Sequence, residues 1–211
     1  MAHDTPTRDV PTGTQVAATD VTGTSIADPG PLGLAAFALT TFVLSCVNAG
    51  LLKGGVETVV IGLALFYGGL MQFAAGMWEF RKGNTFGAVA FSSYGGFWLS
   101  FAGILFWYHP TAVTAQQDAN ALGVYLLSWA IFTAYMTVAA VRVSGAVLAV
   151  FTFLTVTFVF LAIGEFATST SLTKVGGWIG IVTAALAWYA SFAAVTNMTW
   201  KRTVLPTWPA R

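Results

Sequence analysis

From Leu32 onward the chain is a succession of apolar runs, each close to the ~20 residues that carry an α-helix across a ~30 Å hydrocarbon core. They are Pro31–Leu52, Thr58–Phe80, Phe86–Tyr108, Ala119–Val141, Ala146–Phe166 and Val175–Thr199. None alternates in the short segments that a closed membrane barrel requires. The links between them are mostly short, as helical hairpins need. The expected fold is an all-α membrane protein of six transmembrane helices, arranged as three hairpins around a central pathway. Charge agrees with this. Only 8% of the 211 residues are Asp, Glu, Lys or Arg, against roughly a quarter in a soluble domain. So few charges could not cover a water-soluble surface. A formal charge of +1 without a basic stripe excludes a nucleic-acid binder. The single cysteine, Cys46, excludes a disulfide framework and a cysteine-based metal site.

Residues 1–27 are rich in Thr, Asp, Gly and Ala and lack a sustained apolar run, the composition of a disordered tail. Met1 is followed by polar residues rather than a basic stretch and a short apolar core, so no secretory signal is expected. Asp28-Pro29-Gly30-Pro31 opens the first helix with a capping carboxylate and proline in the first turn. Residues 28–203 form the expected transport domain and 204–211 a short C-terminal tail. Lys and Arg set orientation. Arg8, Arg81, Lys82, Arg142, Lys201, Arg202 and Arg211 fall on one side, and Lys53 and Lys174 on the other. That asymmetry places both termini in the cytoplasm of a multi-pass protein in the cytoplasmic membrane. Ile61-Gly62-Leu63, Leu122-Gly123-Val124 and Ile179-Gly180-Ile181 recur at similar spacing and suggest a threefold internal repeat. The odd-numbered helices would then be free to line the path.

A polar group inside a span costs free energy unless it meets a partner or water. Helix 1 carries Thr40, Thr41, Ser45 and Asn48; helix 2 carries Tyr67 and Gln72; helix 3 carries Ser92, Ser93, Tyr94 and Ser100. Thr152, Thr155 and Thr157 follow on helix 5. Single hydroxyls serve helix-to-helix hydrogen bonds, whereas clusters such as Thr40-Thr41 and Ser92-Ser93-Tyr94 point to a polar path. No Lys, Arg or His lies deep in a span, and Glu57, Glu79 and Glu165 stand at span ends. Pumps, voltage sensors and intramembrane metal sites lack their usual residues here. There is no nucleotide motif and no nucleophile–base pair, so neither a cofactor nor an enzyme activity is expected. Gly68-Gly69, Gly95-Gly96 and Gly176-Gly177 allow close helix approach. Trp78, Trp107, Trp178 and Trp200 lie near span ends as interfacial anchors, while Trp98, Trp129 and Trp188 lie mid-span as packing or pore residues.

Asp28-Pro29-Gly30-Pro31-Leu32-Gly33-Leu34 resembles the Asn-Pro-Ala-Pro-Leu-Gly-Leu signature of the acetate uptake transporter family, which includes the bacterial succinate–acetate permeases. Phe66-Tyr67-Gly68-Gly69, Gln72-Phe73, Gly76, Glu79 and Gly83-Asn84-Thr85-Phe86-Gly87 are similar to that family's helix 2 to helix 3 core. Phe91-Ser92-Ser93-Tyr94-Gly95-Gly96-Phe97-Trp98, Leu161-Ala162-Ile163-Gly164 and Gly176-Gly177-Trp178-Ile179-Gly180 extend the likeness, which covers about residues 28–206. Two departures sit in the signature, Asp28 for Asn and Gly30 for Ala.

The resemblance implies a six-helix protomer in a homo-hexamer, each protomer with its own pathway for acetate and similar small carboxylates, succinate included. It implies a constriction of Phe37, Tyr94 and Leu154, all on odd-numbered helices. It links Pro29, Pro31, Leu32 and Gly33 to uptake. Thr40, Thr41, Gln72, Asn84, Thr85, Ser93 and the Tyr94 hydroxyl are candidates to line the path or replace water around a dehydrated carboxylate. Glu79 is a candidate for proton coupling, beside its plainer reading as a cap or an ion pair with Arg81 or Lys82. An ionised Asp28 at the mouth should repel an anion. The residues alone leave open proton-coupled symport against channel-like conduction. They also leave open a pore for neutral solutes such as urea or amides, and a membrane sensor or assembly protein that moves no solute.

Overall fold

A computed structural model describes residues 26–52 and 58–210. The expected N-terminal tail therefore lies outside the described residues apart from Ile26 and Ala27, as do Lys53, Glu57 and Arg211. Within them are six helices long and apolar enough to cross a membrane. They are α1 (Gly30–Asn48), α2 (Val59–Lys82), α3 (Thr85–Trp107), α4 (Ala115–Ala140), α5 (Gly145–Phe166) and α6 (Thr170–Trp200). The six-span expectation is borne out, and the differences lie at helix ends.

Helix α1 stops at Asn48 rather than Leu52 because Gly50 adopts φ 76° and the Gly50 N–H turns back to the Val47 carbonyl. Helix α4 starts at Ala115, four residues before the apolar run. Thr114 and Gln117 form a reciprocal capping box there, the Gln117 N–H donating to Thr114 Oγ1 at 3.2 Å and the Thr114 N–H to Gln117 Oε1 at 2.8 Å. Helix α6 starts at Thr170 rather than Val175, its Leu172 N–H meeting Ser169 Oγ. Hydropathy does not register these polar first turns. Helix α2 is interrupted at Phe66–Met71 by a π-helical turn, in which Gly68 faces Thr40 of α1 and Gly69 faces Leu99 of α3.

Helix α1 packs between α2 and α6, α5 packs between α4 and α6, and α2 packs on α3. The ring is loosest between α3 and α4, where side chains rather than backbones meet. The Tyr94 and Thr133 hydroxyls lie 2.9 Å apart, Ser100 and Tyr125 hydroxyls 2.7 Å apart, and the Phe97 and Trp129 rings 5.1 Å apart. Elsewhere small residues set the spacing. A Cβ on Gly177 would meet the Asn48–Ala49 backbone, and one on Gly76 would meet the Ser92 backbone. The glycines of the three apolar triplets are not equivalent. Gly180 abuts Ser45 and Thr157, Gly123 abuts the Phe166 ring, and Gly62 faces open space.

The span-end tryptophans Trp78, Trp107, Trp178 and Trp200 are all exposed on the bundle, as interfacial anchors should be, while Trp98 is buried. Helix direction puts Arg81, Lys82, Arg142, Lys201 and Arg202 at the end that bears the start of α1 and the end of α6, with Lys174 at the opposite end. The C-terminal tail docks. The Gly145 and Ala146 N–H groups, orphans at the start of α5, donate to the Trp208 and Thr207 carbonyls at 2.7 and 3.2 Å. The Tyr189 hydroxyl donates to the Pro206 carbonyl at 2.6 Å.

Backbone contact at Gly177 leaves no soft neighbour to yield. Gly177→Ala should destabilise the bundle by about 1–3 kcal/mol, the cost of overpacking a filled interface. Gly62→Ala, in open space, should change stability by less than about 0.5 kcal/mol. Thermal unfolding of both variants in detergent checks this, and equal melting temperatures would refute it.

Candidate functional site

Large side chains of α1, α3, α4 and α5, with Thr173 of α6, enclose a cavity of about 230 Å³. One face of each helix supplies the lining. On α1 it is Phe37, Thr41, Leu44, Ser45 and Asn48; on α5 it is Leu154, Thr157, Phe158, Leu161 and Glu165. Both sets repeat at three and four residues, the spacing that puts side chains in one stripe. Phe37 to Asn48 and Leu154 to Glu165 are both eleven residues, so the cavity runs on the order of 16 Å along the bundle at 1.5 Å per residue. It reaches the end of the bundle away from the described chain termini.

The other end of the cavity is closed by aromatic packing. Phe37 and Leu154 line its floor and are 4% and 3% exposed. Tyr94 lies behind Phe37 with ring centroids 5.6 Å apart, and Tyr94 packs on Phe151 at 5.9 Å. Phe86 continues the layer against Phe151 at 5.1 Å. Of the three residues matched to a constriction, Phe37 and Leu154 thus line the closed end of the cavity and Tyr94 packs behind Phe37.

Two residues of the cavity lining each hold a buried polar atom with no hydrogen-bond partner among the described residues, Thr41 Oγ1 and Trp98 Nε1. Buried polar atoms are almost always satisfied, so these two stand out among the groups of the cavity lining. The other sequence candidates are placed elsewhere. The Thr40 hydroxyl donates to the Ala36 carbonyl at 2.9 Å and faces the π-turn of α2. The Tyr94 hydroxyl is tied to Thr133. Asn84 caps α3, its Oδ1 accepting from the Gly87 N–H at 3.2 Å, with Thr85 exposed beside it. Gln72 is buried with Oε1 unpartnered, and Ser93 is half-buried; neither lines the cavity. Pro29 is buried at the start of α1, the Pro31 carbonyl accepts from Ser191 Oγ at 2.7 Å, Leu32 is exposed, and Gly33 lies against the Phe91 ring. Tyr125 and Thr173 line the cavity without having been singled out. Only three-dimensional packing reveals them, since neither stands in a motif. Ser45, Asn48 and Thr157 were legible as polar positions in spans. Their membership of one stripe with Phe37 or Leu154 was the signal to follow.

The family model for GPR1/FUN34/yaaH proteins matches residues 12–210. The chain belongs to that family. It is 40% identical over 183 residues to the Escherichia coli succinate-acetate/proton symporter SatP, covering 87% of this chain and 96% of that one. It is 43% identical over 185 residues to acetate permease A of Emericella nidulans and 49% identical over 175 residues to accumulation of dyads protein 2 of Saccharomyces cerevisiae. Each of those two matches covers 81% of this chain, which spans only 62% of the relative's length. Among solved structures, the bacterial acetate channel SatP superposes with a TM-score of 0.81 at 39% identity, covering 87% of this chain and 99% of that one.

At the lysine-rich end of this family member, Asp28 is neutralised. Its Oδ1 accepts from the Gly30 N–H at 3.0 Å and from Lys82 Nζ at 2.7 Å. Glu79, 1% exposed, stands 4.0 Å from the same ammonium and beside Gly30 and Gly87 at the starts of α1 and α3. Two helix N-termini and one lysine thus surround its carboxyl. The cluster ties the signature segment to the end of α2 and lies off the cavity. Lys82→Met leaves Asp28 and the buried Glu79 without their shared cation. It should cost about 1–3 kcal/mol, the penalty for stranding a buried charged acceptor, read as a fall in melting temperature. Asp28→Asn keeps the Gly30 bond and should cost less than about 1 kcal/mol, as for a partly exposed ion pair.

Proposed function

We propose that this protein moves acetate and related small carboxylates, succinate among them, across the cytoplasmic membrane. The observation that carries the reading is the near end-to-end likeness to the bacterial acetate channel SatP, in a chain whose bundle encloses a dead-ended cavity. The cavity chemistry suits an amphipathic acid. Phe97, Phe101, Phe158 and Leu122 offer apolar wall to a methyl group, while Thr41 and Trp98 offer unpartnered N–H and O–H donors to its oxygens. In low dielectric such donors replace the water that the acid group sheds. The level formed by Phe37, Tyr94 and Leu154 is the constriction in this reading, and passage requires those side chains to part. The signature residues Pro29, Pro31, Leu32 and Gly33 shape the start of α1 and act on uptake through its position. Thr40, Gln72, Asn84, Thr85 and Ser93 act on the helices around the path. Glu79, held by Lys82, remains the candidate coupling carboxylate of the lysine-rich end.

The excess of Lys and Arg at that end puts both termini in the cytoplasm, so the cavity faces outward. Residues 1–27 form a cytoplasmic tail, 28–203 the transport domain and 204–211 a short tail docked on α5. Exposed apolar positions along α4, such as Val124, Ile131 and Val138, suit lipid or a neighbouring protomer of a homo-hexamer.

Purified protein in liposomes should take up labelled acetate in a saturable manner, with propionate and succinate competing and urea not competing. Absence of acetate flux, or equal competition by urea, would sink the reading. Leu154→Ala should raise flux of acids larger than acetate by opening the floor. Thr41→Val should weaken acetate binding about 5- to 150-fold, the equivalent of ~1–3 kcal/mol for a buried polar ligand that loses a hydrogen-bond donor.

A further inference from the structure

Among the residues that line the cavity one carries a formal charge, and it is negative. Glu165 stands at the rim, at the last turn of α5, and also lines a smaller hydroxyl-rich recess with Thr168, Ser169, Thr170 and Thr173. It is half-buried, and no cation lies within ion-pair distance of it among the described residues. The groups that face it from neighbouring elements do not offset its charge. From α4 comes Asp118, close enough to act on it electrostatically, with one carboxylate oxygen buried and unpartnered. From the α3–α4 connection Tyr108 lies close enough to Asp118 to act on it electrostatically, and His109 is turned to the Phe106 carbonyl. From α1 comes the neutral amide of Asn48. From α6 come Thr173 and the next residue, Lys174, whose side chain lies over Gly50 at the end of α1. Among the described residues, an acid approaching the cavity thus meets two carboxylates and no cation paired with them before it reaches Thr41 and Trp98.

We infer that Glu165, supported by Asp118, is a specificity-determining residue that excludes the ionised acid at the cavity mouth and admits the undissociated one. This rests on the carboxylate-transport reading above. It supplies a route to proton coupling without a titratable carrier deep in the membrane. The acid crosses with its own proton and releases it on the far side, so one carboxylate and one proton move together. A like charge at a cleft mouth acts on encounter, and fields of this kind change association rates by about 10- to 1,000-fold.

The test is labelled acetate uptake into liposomes holding the full chain, with lumenal pH fixed, external pH varied from acid to neutral and flux into protein-free vesicles subtracted. Wild-type initial rates at a fixed total acetate should track the undissociated fraction, falling roughly tenfold per pH unit above the acid's pKa. Glu165→Gln should flatten that profile, with rates near wild type at acid pH and about tenfold higher at neutral pH, through KM rather than kcat. Asp118→Asn should flatten it less, and Glu165→Asp should restore the wild-type slope. Added salt should raise the neutral-pH rate of wild type more than that of Glu165→Gln, which keeps only Asp118 to be screened. A folded Glu165→Gln protein with the wild-type pH profile overturns the inference while leaving transport intact. Wild type without acetate flux at any pH overturns both.

Discussion

The cavity depends on one small contact. Gly180 of α6 seats against Ser45 of α1 and Thr157 of α5, two residues whose neighbours in the same stripes line the cavity. Lipid supplies no hydrophobic force to drive helices together, so their approach is decided by how closely backbones can pack. With no side chain at Gly180, and with Gly177 against the Ala49 backbone, α6 holds α1 and α5 from behind. Their bulky residues then face away from α6. Gly76 against Ser92 fixes α2 and α3 in the same way. What remains between α1, α3 and the packed α4–α5 pair is too wide for close backbone packing and is occupied by side chains, aromatic rings above all, except where the cavity lies.

That division of labour explains why polar residues in the spans have such different fates. Thr40 and Thr41 are neighbours and therefore point about 100° apart. Thr40 returns its hydroxyl to its own helix and packs on the π-turn of α2, whereas Thr41 lines the cavity and its buried hydroxyl has no partner among the described residues. Charge is similarly divided. At one end Asp28, Lys82 and Glu79 form a compensated cluster away from the cavity. At the other, Glu165 stands at its rim with Asp118 near it, and among the described residues neither has a cation within ion-pair distance.

Much of the fold was legible because length and apolarity are local properties. The spans were placed to within a few residues, and the errors at α1, α4 and α6 arose where a left-handed glycine or a side-chain cap, not hydropathy, ended the helix. The site was legible in part. Phe37 and Leu154 reach the same level because helix register places them there, and Tyr94 joins them through ring contact. Asn84 and Gln72 carry the same kind of chemistry as Thr41, but one is spent on a helix cap and the other is buried off the cavity. A residue list cannot show that difference. Asp28 looked like an unopposed charge in sequence, where Lys82 is 54 positions away.

The sequence by itself determined that this chain spans a membrane six times, which end carries the basic residues, and which family signature opens α1. Each follows from composition, run length or a contiguous motif. Only the tertiary structure decided which hydroxyls stay unpartnered, that the cavity is closed at one end by aromatic packing around Phe37, Tyr94 and Phe151, and that Glu165 stands at its open rim. Those outcomes depend on which faces of distant helices meet, and that is set by where the glycines let backbones touch.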